Sequence, residues 1–336
     1  MPLRPESPFW DLEDTEYWDR NSIQMRLRSY LRKNKNDVIV RRIKRGRGMN
    51  PFHHHGVNHL SPSSVNMFAG SSTAWVARYL LGYKFSAGPS AWRGIAVEDG
   101  LSAWMFKGAD VQAAANIALE KFDELKGGLN FDDNVEKERR RIYRYVVNAI
   151  DALIEFETEL FVGQRQQPPI GMEKGQWSVG LPCRFGDDPH DKIDVIGYLD
   201  FLYANDDNKN AIVDLKTTAR IPSEWQPAHA MQAAFYKRAH GGNPDVYFVY
   251  ASGKEEDKPN KFHILKLDDE TYNRELLRMK NSIKRMANCL RLSEDAFILA
   301  ESLPHDESSF YWKGEKSLSE VIEETKTATL KTMKEK

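Results

Sequence analysis

Ile193-Asp194-Val195-Ile196-Gly197-Tyr198-Leu199-Asp200-Phe201-Leu202-Tyr203-Ala204 is followed by the polar turn Asn205-Asp206-Asp207-Asn208-Lys209-Asn210 and by Ala211-Ile212-Val213-Asp214-Leu215-Lys216-Thr217. Two apolar, β-branched runs around a polar turn predict an antiparallel hairpin. With the turn centred near Asp207, Asp200 and Asp214 are equidistant from it and fall side by side, their Cβ atoms about 5 Å apart. Lys216, two residues beyond Asp214, projects from the same face. Facing like charges destabilise a sheet unless something positive sits between them, and the flanks Val195 to Leu199 and Ala211 to Val213 are too apolar for a solvated surface. An Asp, Asp, Lys cluster in such surroundings suits an oxygen-ligated divalent ion, Mg²⁺ with retained waters being the usual occupant. The plainer alternative is an Asp214–Lys216 ion pair with Asp200 facing water.

Outward from the hairpin, QWSVGLPCRF (176–185) predicts a preceding strand, so the three segments form a meander. Pro227 to Ala239 reads as a helix stopped by Gly241-Gly242 and carries Gln232 and Tyr236 one turn apart. DVYFVYAS and KFHILKL predict two more strands joined by the charged loop GKEEDKPN. A long amphipathic helix then runs from Asp268 to about Leu292, and the Lys/Glu-rich tail after Trp312 is expected to be a frayed helix or disordered.

Before the meander the pattern is helical. Ser61-Pro62 sets an N-cap with proline in the first turn, and VNMFAGSSTAWVARYLLG predicts one helix of about five turns ending at Gly82. Pro89 opens a second helix, in which Gly94-Ile95-Ala96-Val97-Glu98 sets one acid on an apolar stripe; residues 110–126 and 133–161 predict two more. The expectation is a single α/β domain with a central mixed sheet and a helical elaboration before it.

Composition narrows the function classes. With 41% hydrophobic and 11% aromatic residues the chain is built to bury a core. No stretch approaches the roughly 20 apolar residues of a membrane helix, and MPLRPESPFWDLED lacks a basic-then-apolar leader, so a cytoplasmic, membrane-free location is expected. Two cysteines, Cys183 and Cys289, are too few for a disulfide framework, a four-cysteine zinc site or a four-thiolate iron–sulfur cluster. The net charge of −1 hides a basic segment from Arg26 to Arg47 that includes Arg41, Arg42, Lys44 and Arg45 against the single acid Asp37. That segment reads either as a phosphate-contacting arm or as a solvated helix face followed by an exposed strand. His53-His54-His55 with His59 invites a zinc reading, but three consecutive histidines cannot converge on one ion, which leaves a loop or a nucleic-acid contact. Trp75, Trp92, Trp104 and Tyr79 sit at helical spacing and read mainly as core, His229 as a weak candidate beside Gln232, and Asp187, Asp188 and Asp191 as turn residues around Pro189.

From about Leu60 to Leu267 the chain resembles the PD-(D/E)xK nuclease superfamily, specifically its RecB-like exonuclease branch. The resemblance is carried, in the family's order, by LSPSS at Leu60 to Ser64, Gly94 to Glu98, Gly197-Tyr198-Leu199-Asp200, Asp214-Leu215-Lys216 and Gln232 to Tyr236. The chain departs from it by having Glu98 where many such members have His, and by lacking the cysteines of those with an iron–sulfur cluster. The resemblance implies a restriction-endonuclease-like αβββαβ core over residues 59–312, between an extension at 1–58 bearing the basic arm and a charged tail at 313–336. It further implies that Glu98, Asp200, Asp214 and the Leu215 carbonyl hold Mg²⁺ or Mn²⁺. Lys216 would position or help deprotonate the attacking water, and Gln232 and Tyr236 would bond the lysine, a metal-bound water or a phosphate. Without that resemblance, Gln232 and Tyr236 read as a helix-cap residue and a core-edge tyrosine. The implied activity is metal-dependent DNA exonuclease action in recombination, repair or phage replication, with DNA and a recombination or single-strand-binding protein as partners. An endonuclease of the same fold and a silent DNA-binding module are the rivals; retention of Asp214 and Lys216 argues against the second.

Overall fold

Serine and proline start the first helices of the computed structural model, which describes residues 50–127, 133–168, 176–255, 258–259 and 261–334. The basic segment with Arg41, Arg42, Lys44 and Arg45 therefore lies outside the described residues. After a single turn α1 (Pro51–His54) and a short strand β1 (His59–Leu60), Ser61 caps α2 (Pro62–Gly70) with a reciprocal capping box to Ser64. The five-turn helix expected here is in fact two. Ser71 is extended (φ −158°, ψ 98°) and its hydroxyl accepts from the Ala74 N–H at 3.4 Å, starting α3 (Ser72–Tyr79). A glycine followed by two serines offers the backbone a cap, and the cap wins over continuation.

Three longer helices follow, α4 (Pro89–Lys107), α5 (Val111–Lys126) and α6 (Asp133–Glu155), α6 ending in a π-type turn at Phe156–Leu160. A short β2 (Gln164–Arg165) leads to the meander β3 (Trp177–Arg184), β4 (Lys192–Leu199), β5 (Phe201–Ala204) and β6 (Asn210–Thr217). Helix α7 (Pro227–His240) carries the chain to β7 (Asp245–Ala251), which is parallel to β6, and β8 (Phe262–Lys266) returns antiparallel. The chain ends with α8 (Asp269–Leu290), α9 (Ala296–Ser302) and α10 (Leu318–Lys334). The tail was expected to be frayed or disordered, yet α10 buries Leu318, Val321 and Ile322 against the main core.

Among the described residues the strands form two sheets, β1-β4-β3 and β2-β5-β6-β7-β8. The segment expected as one strand from Ile193 to Ala204 breaks at Asp200. Leu199 still pairs with Trp177 in the first sheet, whereas Phe201 pairs with Val213 in the second. At the break the Asp200 carboxylate accepts the Leu215 N–H through Oδ2 at 3.0 Å, so a side chain replaces the ladder there. The hairpin register is the expected one: Phe201↔Val213 through Ala204↔Asn210 are symmetric about residue 207.

Strict alternation along the second sheet separates two apolar layers. Phe201, Tyr203, Ala211, Val213, Tyr247 and Val249 face α4, α5 and α6, while Leu202, Ile212, Val246, Phe248 and Tyr250 belong to the layer of α7, α8 and the first sheet. This is a mixed sheet flanked by helices, with restriction-endonuclease-like connectivity. Asp214, at an even position of β6, is thereby turned toward α7. Gly197 lets that helix close on β4, because a Cβ there would lie 2.8 Å from Phe235 Cε1 and 2.9 Å from Tyr236 Cε1. Gly197→Ala is expected to cost about 1–3 kcal/mol of stability by overpacking, read from urea unfolding. An unchanged midpoint would show that the rings shift freely.

Candidate active site

The break between the sheets opens a cleft of about 460 Å³ at the carboxyl end of β6, the place where sheets with parallel strands present ligands. Its walls include Glu98 from α4, Asp200 from the break, Asp214, Leu215 and Lys216 from β6, and Gln232 and Tyr236 from α7. All the residues expected at the site outside the basic arm thus meet in one place.

Asp214 is 1% exposed, and its Oδ1 forms an ion pair with Lys216 Nζ. Gln232 Nε2 donates to Asp214 Oδ2 at 3.3 Å and to the Tyr236 hydroxyl oxygen at 2.6 Å, and that hydroxyl donates to the Tyr198 carbonyl at 2.6 Å. One helical turn of α7 therefore ties Asp214 to the end of β4. Asp200 is held at both oxygens, Oδ2 by Leu215 N–H and Oδ1 by Gln176 Nε2 at 3.1 Å. Gln176 Nε2 also donates to Glu98 Oε1 at 2.6 Å.

Charge at this centre is poorly compensated. Burial pushes the Asp214 carboxyl up to about 7, with Asp200 adding to the rise and Lys216 opposing it. Burial also raises Asp200, against Lys216 and the bonds from Leu215 and Gln176. Burial alone would lower Lys216, but Asp214, Asp200 and Glu98 together raise it and keep it charged. Three acids facing one lysine leave an excess of negative oxygen, the donor chemistry of a hard divalent cation. As placed, no three His, Cys, Asp or Glu side chains among the described residues close into a ligand cluster. Their positions account for this: the Gln176 amide lies between Glu98 and Asp200, and Lys216 sits against Asp214.

Two residues at the site were not singled out from sequence. Gln176 sits one residue before β3 and gave no motif signal. Arg93 carries only a helical signal in the sequence, yet its buried guanidinium pairs with Glu138 at 2.5 Å. It also donates to Thr217 Oγ1 at 3.2 Å and to the Thr217 carbonyl at 3.1 Å, locking α4 and α6 to the end of β6 beside Lys216. An arginine in the second turn of an apolar helix is the signal that marks it.

Other candidates fall elsewhere. His229 Nδ1 lies 2.9 Å from the Tyr250 hydroxyl behind the cleft, and burial, with Lys216, lowers its pKa to about 4. His55 bonds the Leu290 carbonyl at 2.9 Å, and His59 lies in β1, aligned through the backbone with Asp194 of β4. Trp75 and Trp92 are core residues, Trp104 lies under the Arg165 guanidinium, and Tyr79 is 39% exposed. Asp188 caps the turn at His190, and Asp191 pairs with Arg291.

A model of the PD-(D/E)XK nuclease superfamily matches residues 59–296, which span every cleft residue above. The chain belongs to the PD-(D/E)XK nuclease superfamily. Asp200 and the Asp214-Leu215-Lys216 run lie within the matched residues. No curated protein matches the sequence. Among solved structures, that of SSO0001 is matched at 11% identity over 63% of this chain and 87% of that one, with a TM-score of 0.26, too loose a likeness to bear on function. No helix among the described residues is long and apolar enough to cross a membrane.

Proposed function

We propose that this nuclease is a metal-dependent DNA exonuclease of the RecB-like branch, working on DNA ends in recombination, repair or phage replication. The observation that carries the reading is the convergence of Glu98, Asp200, Asp214 and Lys216 on one cleft, with Asp214 buried and raised to about 7. Glu98, Asp200, Asp214 and the Leu215 carbonyl would hold Mg²⁺ or Mn²⁺. A bound cation of this kind polarises the phosphate and lowers the pKa of a coordinated water.

The chain's own groups do the rest. Lys216, charged and 24% exposed, reaches the cleft from β6 and would orient a water or a phosphate oxygen. Gln232 and Tyr236 are positioning residues: their bonds run to Asp214 and to the Tyr198 carbonyl and fix the acid's orientation. The preference for ends over internal sites rests on this Gln-to-Tyr turn of α7, the feature of the RecB-like resemblance that site-specific relatives usually lack.

Degradation of a linear duplex in Mg²⁺ should be complete, while a covalently closed circle of the same sequence should stay intact over the same incubation. Both are read by gel electrophoresis. Linearisation of the circle would replace the exonuclease reading with the endonuclease one.

A further inference from the structure

Glu98 and Asp200 reach the cleft from different parts of the fold, one from a long helix and one from the break between two sheets. A flexible glutamate on a helix loses rotamer freedom when it is held in one place. One amide joins the two acids: the two N–H bonds of Gln176 Nε2 go to Glu98 Oε1 at 2.6 Å and Asp200 Oδ1 at 3.1 Å. Since both partners are acceptors only, the nitrogen side of the amide must face them. Asp200 is already fixed at its other oxygen by the Leu215 N–H, so Gln176 ties Glu98 to an anchored group.

We propose that Gln176 is a positioning residue of the metal site, which holds Glu98 and Asp200 converged before the cation arrives. Each carboxylate oxygen has a second lone pair, so an oxygen bonded to the amide can still face an ion. Hydrogen bonds of this kind set the orientation of ligand groups and typically change metal affinity by about 10- to 100-fold. Gln176 also places two amide hydrogens between two negative oxygens, partly offsetting their repulsion while the cation is absent. The inference rests on the metal-dependent reading above and deepens it.

The test uses the full-length protein and Mn²⁺ alone, titrated calorimetrically without DNA, so nuclease turnover plays no part. Gln176→Met keeps the length and removes both donors; Gln176→Glu keeps the shape and replaces the donors with acceptors. With Gln176→Met the dissociation constant for Mn²⁺ should rise about tenfold or more, while the metal-free protein still melts in one cooperative transition, at a somewhat lower midpoint because the repulsion between the two acids is no longer offset. Gln176→Glu should show a lower metal-free midpoint at pH 8, restored by saturating Mn²⁺, because a fourth acid then faces the cluster. Affinity in Gln176→Met equal to wild type, or tighter, would overturn the role assigned to Gln176 while leaving the metal site standing. Wild-type protein that takes up no Mn²⁺ would overturn the metal reading itself, and the role of Gln176 with it.

Discussion

Asp214→Asn should lower Mg²⁺-dependent DNA hydrolysis by about a thousandfold or more, equivalent to ~4 kcal/mol of transition-state stabilisation, and yet raise the melting temperature of the metal-free protein at pH 8. The two effects have one cause. Asp214 is almost fully buried, shares Lys216 with Asp200, and has its pKa pushed up to about 7 by burial and by Asp200. Above that pH the folded protein must hold two desolvated acids against one lysine. Asparagine removes one of the charges and keeps the shape.

The pH dependence follows from the direction of the shift. Unfolded, Asp214 has the ordinary value of 3.8; folded, it holds its proton up to about 7. The native state therefore binds the additional proton between those values, and stability falls as pH rises through that window. The wild-type midpoint should drop between pH 5 and pH 8 more steeply than that of Asp214→Asn. At pH 8 the variant should melt higher by about 1–2 °C, the effect of roughly 1 kcal/mol in a chain of this size. Calorimetry in EDTA at the two pH values checks this. A variant that melts lower at pH 8 would mean that the Lys216 contact outweighs the repulsion from Asp200.

How much of this was legible in the sequence depended on whether the signal was local. The hairpin register could be read because its turn is polar, its strands are apolar and alternate, and symmetry about residue 207 then fixes which side chains meet. The α7 cluster was equally visible, since Gln232 and Tyr236 are four residues apart on one helix. The break at Asp200 was not visible: nothing in Leu199-Asp200-Phe201 says that neighbouring residues pair in different sheets, because the cause, the Leu215 N–H, is fifteen positions away. The division between α2 and α3 was missed for the opposite reason, a local cap at Ser71 overlooked within a long apolar period. The buried face of α10 was hidden because three apolar positions, Leu318, Val321 and Ile322, are diluted by lysines and glutamates whose charged ends remain in water. Gln176 and Arg93 act through contacts 24 to 124 residues distant, where spacing carries no information.

Lys216→Met tests the same centre from the opposite sign of charge, and its effect on stability should invert that of Asp214→Asn. Losing the lysine leaves Glu98, Asp200 and Asp214 with no cation among them except what the solvent supplies. Removing one partner of a buried pair costs about 3–5 kcal/mol; with the Lys216 side chain 24% exposed, water relieves part of this and about 2 kcal/mol is expected at pH 8 in EDTA. At pH 5.5 the penalty should shrink, since the acids take up protons once the lysine no longer opposes it. Methionine packs against the Phe248 ring that Lys216 now covers at 5.1 Å, so the loss should be electrostatic rather than a cavity. Mg²⁺ at saturating concentration should then raise the midpoint of Lys216→Met more than that of wild type, because the ion takes over a neutralising role that lysine performs in the wild type. Hydrolysis should stay low even in that metal-loaded, stable protein, since the group proposed to orient the water or phosphate is gone. Combining Lys216→Met with Asp214→Asn should recover much of the lost stability and none of the activity, a non-additive result expected of groups in direct contact. If Mg²⁺ stabilises the single variant no more than wild type, the acids are not the ion's ligands, and Lys216 and the carboxylates form only a structural ion-pair network.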